Sequence, residues 1–520
     1  MSWVLIALLV LPLVGALVVS LPFLRRDDAK AKLVALAFSV AELLLAVVLW
    51  ITYEPGGPRL QLTSSVDWIA GFGVHLSFGV DGIALVMIAV IAVLIPLVIG
   101  AGWAEKLPSG RSAGGYLGLI LLQEAITVAV FAATDVFLFY VLFEVMLIPM
   151  YFLIGGYGGA RRQYAAVKFF LYSFLGGLIM LASAIGCYVL AQDKIGKGTF
   201  DWATLVTVVR EADTSTQIWL FLGFFLAFAI KAPLVPFHTW LPDAAAEAPI
   251  GVTVIVVGIL DKVGTFGMLR YNLPMFPEAS KALAPVVLVL AVAGVLYGSL
   301  LATGQRDMKR FLAYVSIAHF GFIALGIFSF TSQAGVGSVS YMLNHSISTG
   351  MLILVIGMVI ARGGSTSIAD YGGMSKVAPL LAGMLLLSGL TTLSLPGTNS
   401  FVSEFLVLIG SYPTQPVYTI LATLGMVLAA LYVLWLYQRV MTGPLRGTAL
   451  LSTGGPGATV DPEKAPITDL NKREIAVLAP LVALVLLLGF YPQPVLDVVT
   501  PSVGATLSEV GVTDPVQEGK

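Results

Sequence analysis

Glu144 stands inside VLFEVMLIPM, Lys231 closes FLAFAIK, and Lys262 sits in VIVVGILDKVGTFGML next to Asp261. His319 and His345 fall in two later apolar runs, and Glu404 closes the segment LSLPGTNSFVSE, beyond Pro396. Carboxylates, amines and imidazoles take up, hold and release protons. A charge at the centre of a bilayer costs several kcal/mol, so an ionisable residue kept there is a functional candidate by default. A Glu–Lys pair ~4 Å apart interacts by about 4 kcal/mol at an effective dielectric of 20. Opening and closing such a pair changes the proton affinity of the lysine by about a thousandfold. A histidine between two such groups can relay the proton. The plainer alternative is a set of static buried ion pairs. Glu42 and Glu124 are lone carboxylates in apolar runs, either protonated and packed or part of the same path. Lys168 lies one turn inside a helix end, where its stem can snorkel to the membrane edge.

These readings depend on the runs being membrane spans, and the composition requires it. Of 520 residues, 58% are apolar before glycine is counted and only 11% are charged, against about 25% charged in a soluble chain. Runs long enough to cross roughly 30 Å of hydrocarbon fall at 2–22, 31–52, 79–101, 116–133, 136–155, 166–191, 217–239, 250–272, 283–304, 311–329, 338–361, 379–408, 416–440 and 475–491. The expectation is an all-α polytopic membrane protein of about fourteen helices forming one integral membrane domain over 1–520. The junction at Ala132–Asp135 divides an apolar run too long for one span, with Asp135 as the cap of the next helix. Asp201–Ala212 suits a short amphipathic helix on the surface, and Met441–Arg473 an extended loop.

Prolines interrupt the seventh span (Pro233, Pro236, Pro242) and the twelfth (Pro396). Broken helices are tolerated in a membrane where they line a cavity or are buried in protein. Paired breaks in corresponding places mark inverted-repeat transporters. The breaks lie five spans apart, which predicts two inverted five-helix repeats, helices 4–8 (116–272) and 9–13 (283–440). Helices 1–3 (1–110) precede them. A cytoplasmic loop (441–474) and a last helix with an outer tail (475–520) follow.

Most Lys and Arg fall in alternate loops, among them Arg25, Arg26, Lys106, Arg111, Arg161, Arg162, Lys309, Arg310, Arg446 and Lys464. By the positive-inside rule those loops are cytoplasmic and both termini lie outside. Met1–Leu24 is uncharged with Arg25 and Arg26 after it, the reverse of a secretory signal, so it is expected to be a retained span. A net charge of −1 gives no basic field for nucleic acid. Cys187 is the only cysteine, which excludes an intrachain disulfide and an iron–sulfur cluster held by this chain alone; it is expected to be a small apolar residue inside a helix. With four histidines, His75 in a loop and His238 just past the proline break, a cytochrome-like haem protein is disfavoured. A purely structural membrane anchor would leave the buried charges unexplained.

Five segments follow one another in order: DVFLFYVLFEVMLIPMYFLIGGYG, IKAPLVPFHTWLPDAAAEAP, LDKVGTFGMLR, DMKRFLAYVSIAHFGF and LPGTNSFVSEF. Together they closely resemble the subunit M family, antiporter-like membrane subunits of respiratory NADH–quinone oxidoreductase (complex I), over roughly 75–440. The resemblance implies a proton-translocating subunit of a translocase in the bacterial inner membrane. No redox centre would lie on this chain. NADH, FMN, iron–sulfur clusters and quinone would belong to partner subunits, with antiporter-like subunits L and N as probable flanks. Residue by residue, Glu144 resembles the fifth-helix glutamate that pairs with the broken-helix lysine, Lys231. Lys262 resembles the central lysine of the eighth helix. His319 and His345 resemble members of a polar axis between two half-channels, and Glu404 the terminal residue of the twelfth. Glutamate at that last position separates this chain from subunits L and N and from multi-subunit Na+/H+ antiporters, the competing family, where lysine is typical. Two positions depart from the pattern. Ala245 stands where the family often has histidine, with Glu247 as a substitute, and Asp261 precedes Lys262 where Leu or Met is common.

Overall fold

The computed structural model describes residues 3–25, 27–105, 107–445 and 467–512. Arg26, Lys106, Arg446 and Lys464, most of the 441–474 loop and the last part of the 475–520 tail lie outside the described residues.

Thirteen described helices are long and apolar enough to cross a membrane, from Trp3–Ser20 and Asp28–Thr52 through Gly82–Ala104, Ala113–Ala132 and Val136–Tyr157 to Lys472–Phe490. Two shorter apolar helices, Pro379–Thr392 and Asn399–Ser411, make a further interrupted crossing, the twelfth. The seventh is broken as well: Thr214–Lys231 ends at the lysine, and a short helix, Trp240–Glu247, resumes after Pro233 and Pro236 with Pro242 in its first turn. The fourth and fifth spans divide where expected. Asp135 accepts hydrogen bonds from the amides of Phe137 and Leu138, both at 2.9 Å, and so starts the fifth.

Burial differs among the spans, and it separates core helices from those facing lipid. The apolar stretch of the eighth span, Ile250–Met275, is wholly buried, and that of the eleventh, Ser332–Gly363, nearly so; the second and thirteenth expose most of theirs. A helix hydrophobic all round reads the same in lipid and in a protein core, so hydropathy alone could not rank them. The ninth and thirteenth spans, Pro277–Thr303 and Pro416–Met441, pack together on the outer layer of the second half.

Two parts differ from the sequence expectation, a hairpin before the third span and a helix in the C-terminal tail. The segment between the second and third spans folds into an antiparallel hairpin, β1 (Gln61–Ile69) with β2 (Val74–Val80). The short helix near Asp201 is Trp202–Val209, amphipathic as expected, with Ala203 and Thr207 exposed. Trp202, Leu205 and Val209 are buried, and the Trp202 indole N–H donates to the carbonyl of Arg270 at 2.8 Å. The C-terminal tail contains a helix, Gln493–Val510, packed on the third and eleventh spans. Arg270 lies inside the eighth span, where it forms a buried ion pair with Asp81 at 2.7 Å. Cys187 is buried inside the sixth span, Arg162–Ile195.

Candidate functional site: a buried polar line through the broken helices

The eighth span is not a uniform α-helix. π-helical stretches at Val256–Leu260 and Met268–Asn272 bracket a short α segment, Lys262–Gly267. Such wide turns appear mostly at functional sites. Here the first stretch frees the carbonyl of Val257 to accept from Lys262 Nζ. The same ammonium lies 2.7 Å from Nδ1 of His345 on the eleventh span and 5.0 Å from the ring centre of Phe320. The Ser346 hydroxyl donates to the Gly258 carbonyl at 2.5 Å, so a second carbonyl of the widened turn is satisfied from the eleventh span. No buried backbone acceptor can be left bare in a membrane interior, and this pair of bonds meets that requirement.

Beyond His345 the line continues. Its Nε2 lies 3.3 Å from the Ser316 hydroxyl, and its ring centre is 5.2 Å from that of His319. His319 Nδ1 is 2.5 Å from the Tyr341 hydroxyl, which donates to Glu404 Oε2 at 2.9 Å. The Ser394 hydroxyl, in the break of the twelfth span, donates to the same oxygen. Glu404 thus sits one turn inside the second half-helix, held from the break and from the eleventh span. Asn344 and Asn399 fix the two elements to each other. The Asn344 amide donates to the Asn399 carbonyl at 2.9 Å, and the Asn399 amide donates to Asn344 Oδ1 at 3.1 Å.

The first half of the line is less connected. Lys231 is fully buried at the end of the first half of the seventh span, and its ammonium has no hydrogen-bond partner; it lies 5.1 Å from the ring centre of Phe143 and 5.3 Å from that of Phe169. Glu144 sits at the slight interruption of the fifth span at Met146, and neither of its oxygens is hydrogen-bonded. The family-derived pairing of these two residues is therefore not a direct contact in this state. Glu144 points into space that Gly177 leaves open: a Cβ on Gly177 would fall 1.5 Å from Glu144 Oε1. Gly264 does the same for the backbone, since a Cβ there would meet the Phe228 carbonyl at 2.5 Å and the Ala232 amide at 2.6 Å. That close approach brings the eighth span against the break of the seventh. Asp261 is fully buried with both oxygens unpartnered, within electrostatic reach of both Lys231 and Lys262. It bridges the interval between the two lysines.

The remaining candidates divide. Glu42 and Glu124 are buried, unpartnered and within electrostatic reach of each other, on the second and fourth spans. They lie apart from the hydrogen-bonded line. His238 is buried in the seventh-span break with Nδ1 unpartnered and its ring centre 5.1 Å from that of Tyr297. Glu247 is already engaged: the Arg161 amide donates to it at 2.8 Å and the Arg161 side chain lies 3.7 Å away. Ala245 is fully buried. Lys168 does more than snorkel. It pairs with Asp243 at 2.7 Å, and Arg310 pairs with the other oxygen. Lys309 Nζ donates to the carbonyls of Ala246 and Ala248, a cation at a helix C-terminus. Sequence reasoning missed Tyr341, Ser394, Asp243 and Arg270. The signal for Tyr341 was present. The run SVSYMLNHSIST carries too many hydroxyls and amides for a lipid-facing helix, so its polar face must meet protein.

The arrangement can carry a proton. A charged Lys262 donates to Nδ1, so His345 is neutral with its proton on Nε2. With Tyr341 donating to Glu404, His319 donates from Nδ1 and keeps a free Nε2. Proton arrival at that Nε2 permits release from Nδ1 to the tyrosine oxygen as the tyrosine passes its own proton to Glu404.

A multi-pass bundle with two broken helices and buried amines, imidazoles and carboxylates defines the class of ion-translocating antiporter-like membrane subunits. The family model described as NADH:quinone oxidoreductase/Mrp antiporter, TM, matches residues 133–431. NADH-quinone oxidoreductase subunit M of Mycobacterium tuberculosis is 46% identical, over 97% of this chain and 94% of that protein. In the solved respiratory complex I from Thermus thermophilus with bound NADH, one chain superposes with a TM-score of 0.84 at 30% identity, covering 98% of this chain and all of that one. A chain of the Mrp complex from a Dietzia species shares the fold, with a TM-score of 0.82 at 22% identity, covering 98% of this chain and all of that one. The chain belongs to the subunit M family of NADH–quinone oxidoreductases.

Proposed function

We propose that this chain translocates protons as the antiporter-like M subunit of a respiratory NADH–quinone oxidoreductase. It is a multi-pass subunit of the bacterial inner membrane, and redox chemistry in partner subunits drives it. The observation that carries the reading is the pair of hydrogen-bonded segments Lys262–His345 and His319–Tyr341–Glu404, whose two imidazole ring centres lie 5.2 Å apart, buried between two interrupted helices. Lys262 is the central proton-holding group. His345 and His319 relay, Tyr341 couples the relay to Glu404, and Glu404 is the terminal site of the second half-channel. Glu144 and Lys231 form the switchable pair of the first half-channel, with Asp261 linking Lys231 to Lys262. Glu42 and Glu124 form a side branch, and His238 and Glu247 line the approach to the seventh-span break.

On this reading helices 4–8 (116–272) and 9–13 (283–440) are inverted repeats, each supplying one half-channel around its broken helix. Both termini lie outside, subunits L and N flank the chain, and flavin, iron–sulfur and quinone chemistry belongs to other subunits. The test is the intact complex in proteoliposomes, with NADH-driven quinone reduction and interior acidification measured together. Lys262→Met is expected to lower both by at least about tenfold, within the range removal of a proton-transfer group produces. Normal acidification by correctly assembled Lys262→Met complex would overturn the assignment.

A further inference from the structure

We propose that this chain binds one anionic phospholipid in a groove formed by the first, fourth, fifth and sixth spans, with the headgroup phosphate held between Arg25 and Arg111. The groove encloses about 790 Å³, within the ~300–1,000 Å³ of built small-molecule sites. It shares none of the residues of the polar line.

The groove has two chemically distinct parts. Leu13, Leu17, Leu119 and Phe152 line most of its length, and Leu17 and Phe152 are exposed at its mouth. Such a wall suits acyl chain and offers nothing to a polar solute. Gly115, Gly118 and Gly155 lie where the walls pack closely, a Cβ on Gly118 falling 2.5 Å from Ser20 Oγ and one on Gly155 3.1 Å from Ala166 Cβ.

The basic end is different. The Arg25 Nε donates to the Ser112 hydroxyl at 3.1 Å, which brings it to the residue next to Arg111. The Arg111 guanidinium lies 5.7 Å from the ring centre of Tyr157 and against Gly156, where an added Cβ would sit 3.7 Å from Cζ. Both arginines are exposed, and neither has a carboxylate partner among the ion pairs of the described residues. Two unpaired guanidiniums at the polar end of an apolar slot match a phosphate in charge and in fork geometry. Both lie in loops whose basic excess places them on the cytoplasmic side, where anionic lipids give the leaflet its negative surface potential. A zwitterionic headgroup would set its own cation against these two.

The test uses the intact complex in vesicles of phosphatidylcholine with a minor fraction of photoactivatable lipid, either phosphatidylglycerol or phosphatidylcholine carrying the same diazirine acyl chain. Cross-linked peptides are mapped by mass spectrometry. Phosphatidylglycerol is expected to label 13–20, 115–122 and 151–157 at least about fivefold more than phosphatidylcholine, consistent with two basic contacts near the surface. Arg25→Gln with Arg111→Gln should abolish the preference, and Arg25→Lys with Arg111→Lys should retain most of it. Equal labelling by the two probes overturns the proposal, as does a preference unchanged in the double Gln variant. Protection of the groove by a neighbouring subunit, seen as no lipid label with a protein cross-link there, overturns it too. Should the Gln variant fail to assemble, the comparison of the two probes on the unaltered complex still decides.

Discussion

Lys262 on the eighth span and His345 on the eleventh are joined directly, Nζ to Nδ1 at 2.7 Å, with both side chains fully buried. Only one proton can lie between the two nitrogens. When the lysine holds it the histidine is an acceptor, and when the lysine gives it up the histidine is the first group that can receive it. The exit from the lysine is thereby directional, because Val257, its other partner, is a carbonyl that accepts but cannot carry a proton away.

Tyr341→Phe should interrupt transfer with little change in shape. It removes the hydroxyl that joins His319 to Glu404 and leaves Glu404 to Ser394. Leaving a buried polar group short of one partner destabilises by about 1–3 kcal/mol. Proton uptake by reconstituted complex should fall several-fold while assembly, read by native gel, persists. Unchanged uptake would remove the tyrosine from the path.

Glu404 is expected to need an ionisable side chain. Glu404→Lys should keep part of the pumping and Glu404→Ala should lose it. Equal activity of the two variants would show that no proton is held there.

Gly177→Ala tests whether the position of Glu144 matters as well as its charge. The added methyl must push the carboxylate out of its present place. Quinone reduction should drop towards the level of Glu144→Gln, which is expected to lose most activity. The two changes should not be additive, as for residues in contact. An additive loss would mean that Gly177 acts through helix packing alone.

Asp243→Asn should loosen the seventh-span half-helix. Asp243 clamps it to Lys168 on the sixth span and Arg310 on the tenth. These groups are partly exposed, so solvent screens the pair and a loss of about 1 kcal/mol is expected. The thermal unfolding midpoint of the purified complex should fall, and more so at low salt than at high salt.

Much of the fold was legible because the signals were of long range. Span lengths, the two proline breaks and the Asp135 cap all follow from composition and local chemistry. The hairpin at Gln61–Val80 was not, since short exposed strands in a loop carry no apolar run. The Arg270–Asp81 ion pair was not legible, because Asp81 is far away in sequence. Among the site residues, Glu144, Lys231, Lys262, His319, His345 and Glu404 stood out by charge against an apolar background. Ser394 did not, because a lone uncharged hydroxyl differs too little from its surroundings, and Tyr341 was marked only by the polar run around it. The separation of Glu144 from Lys231 could not be read at all, because a motif names partners without stating which conformational state joins them.

The wide turns around Lys262 carry an arithmetic consequence. A π turn closes one residue later than an α turn, so each stretch acts as a one-residue insertion. It rotates everything beyond it by about 100° relative to an uninterrupted helix of 3.6 residues per turn. The azimuth of Lys262 therefore depends on Val256–Leu260, and that of the segment after Asn272 on both stretches. Deleting Gly258 would let the first stretch close as ordinary α-helix. The lysine would keep its azimuth towards His345, whereas α-helical closure with Gly258 retained would swing it off by about 100° though every side chain named in the proton line was still present.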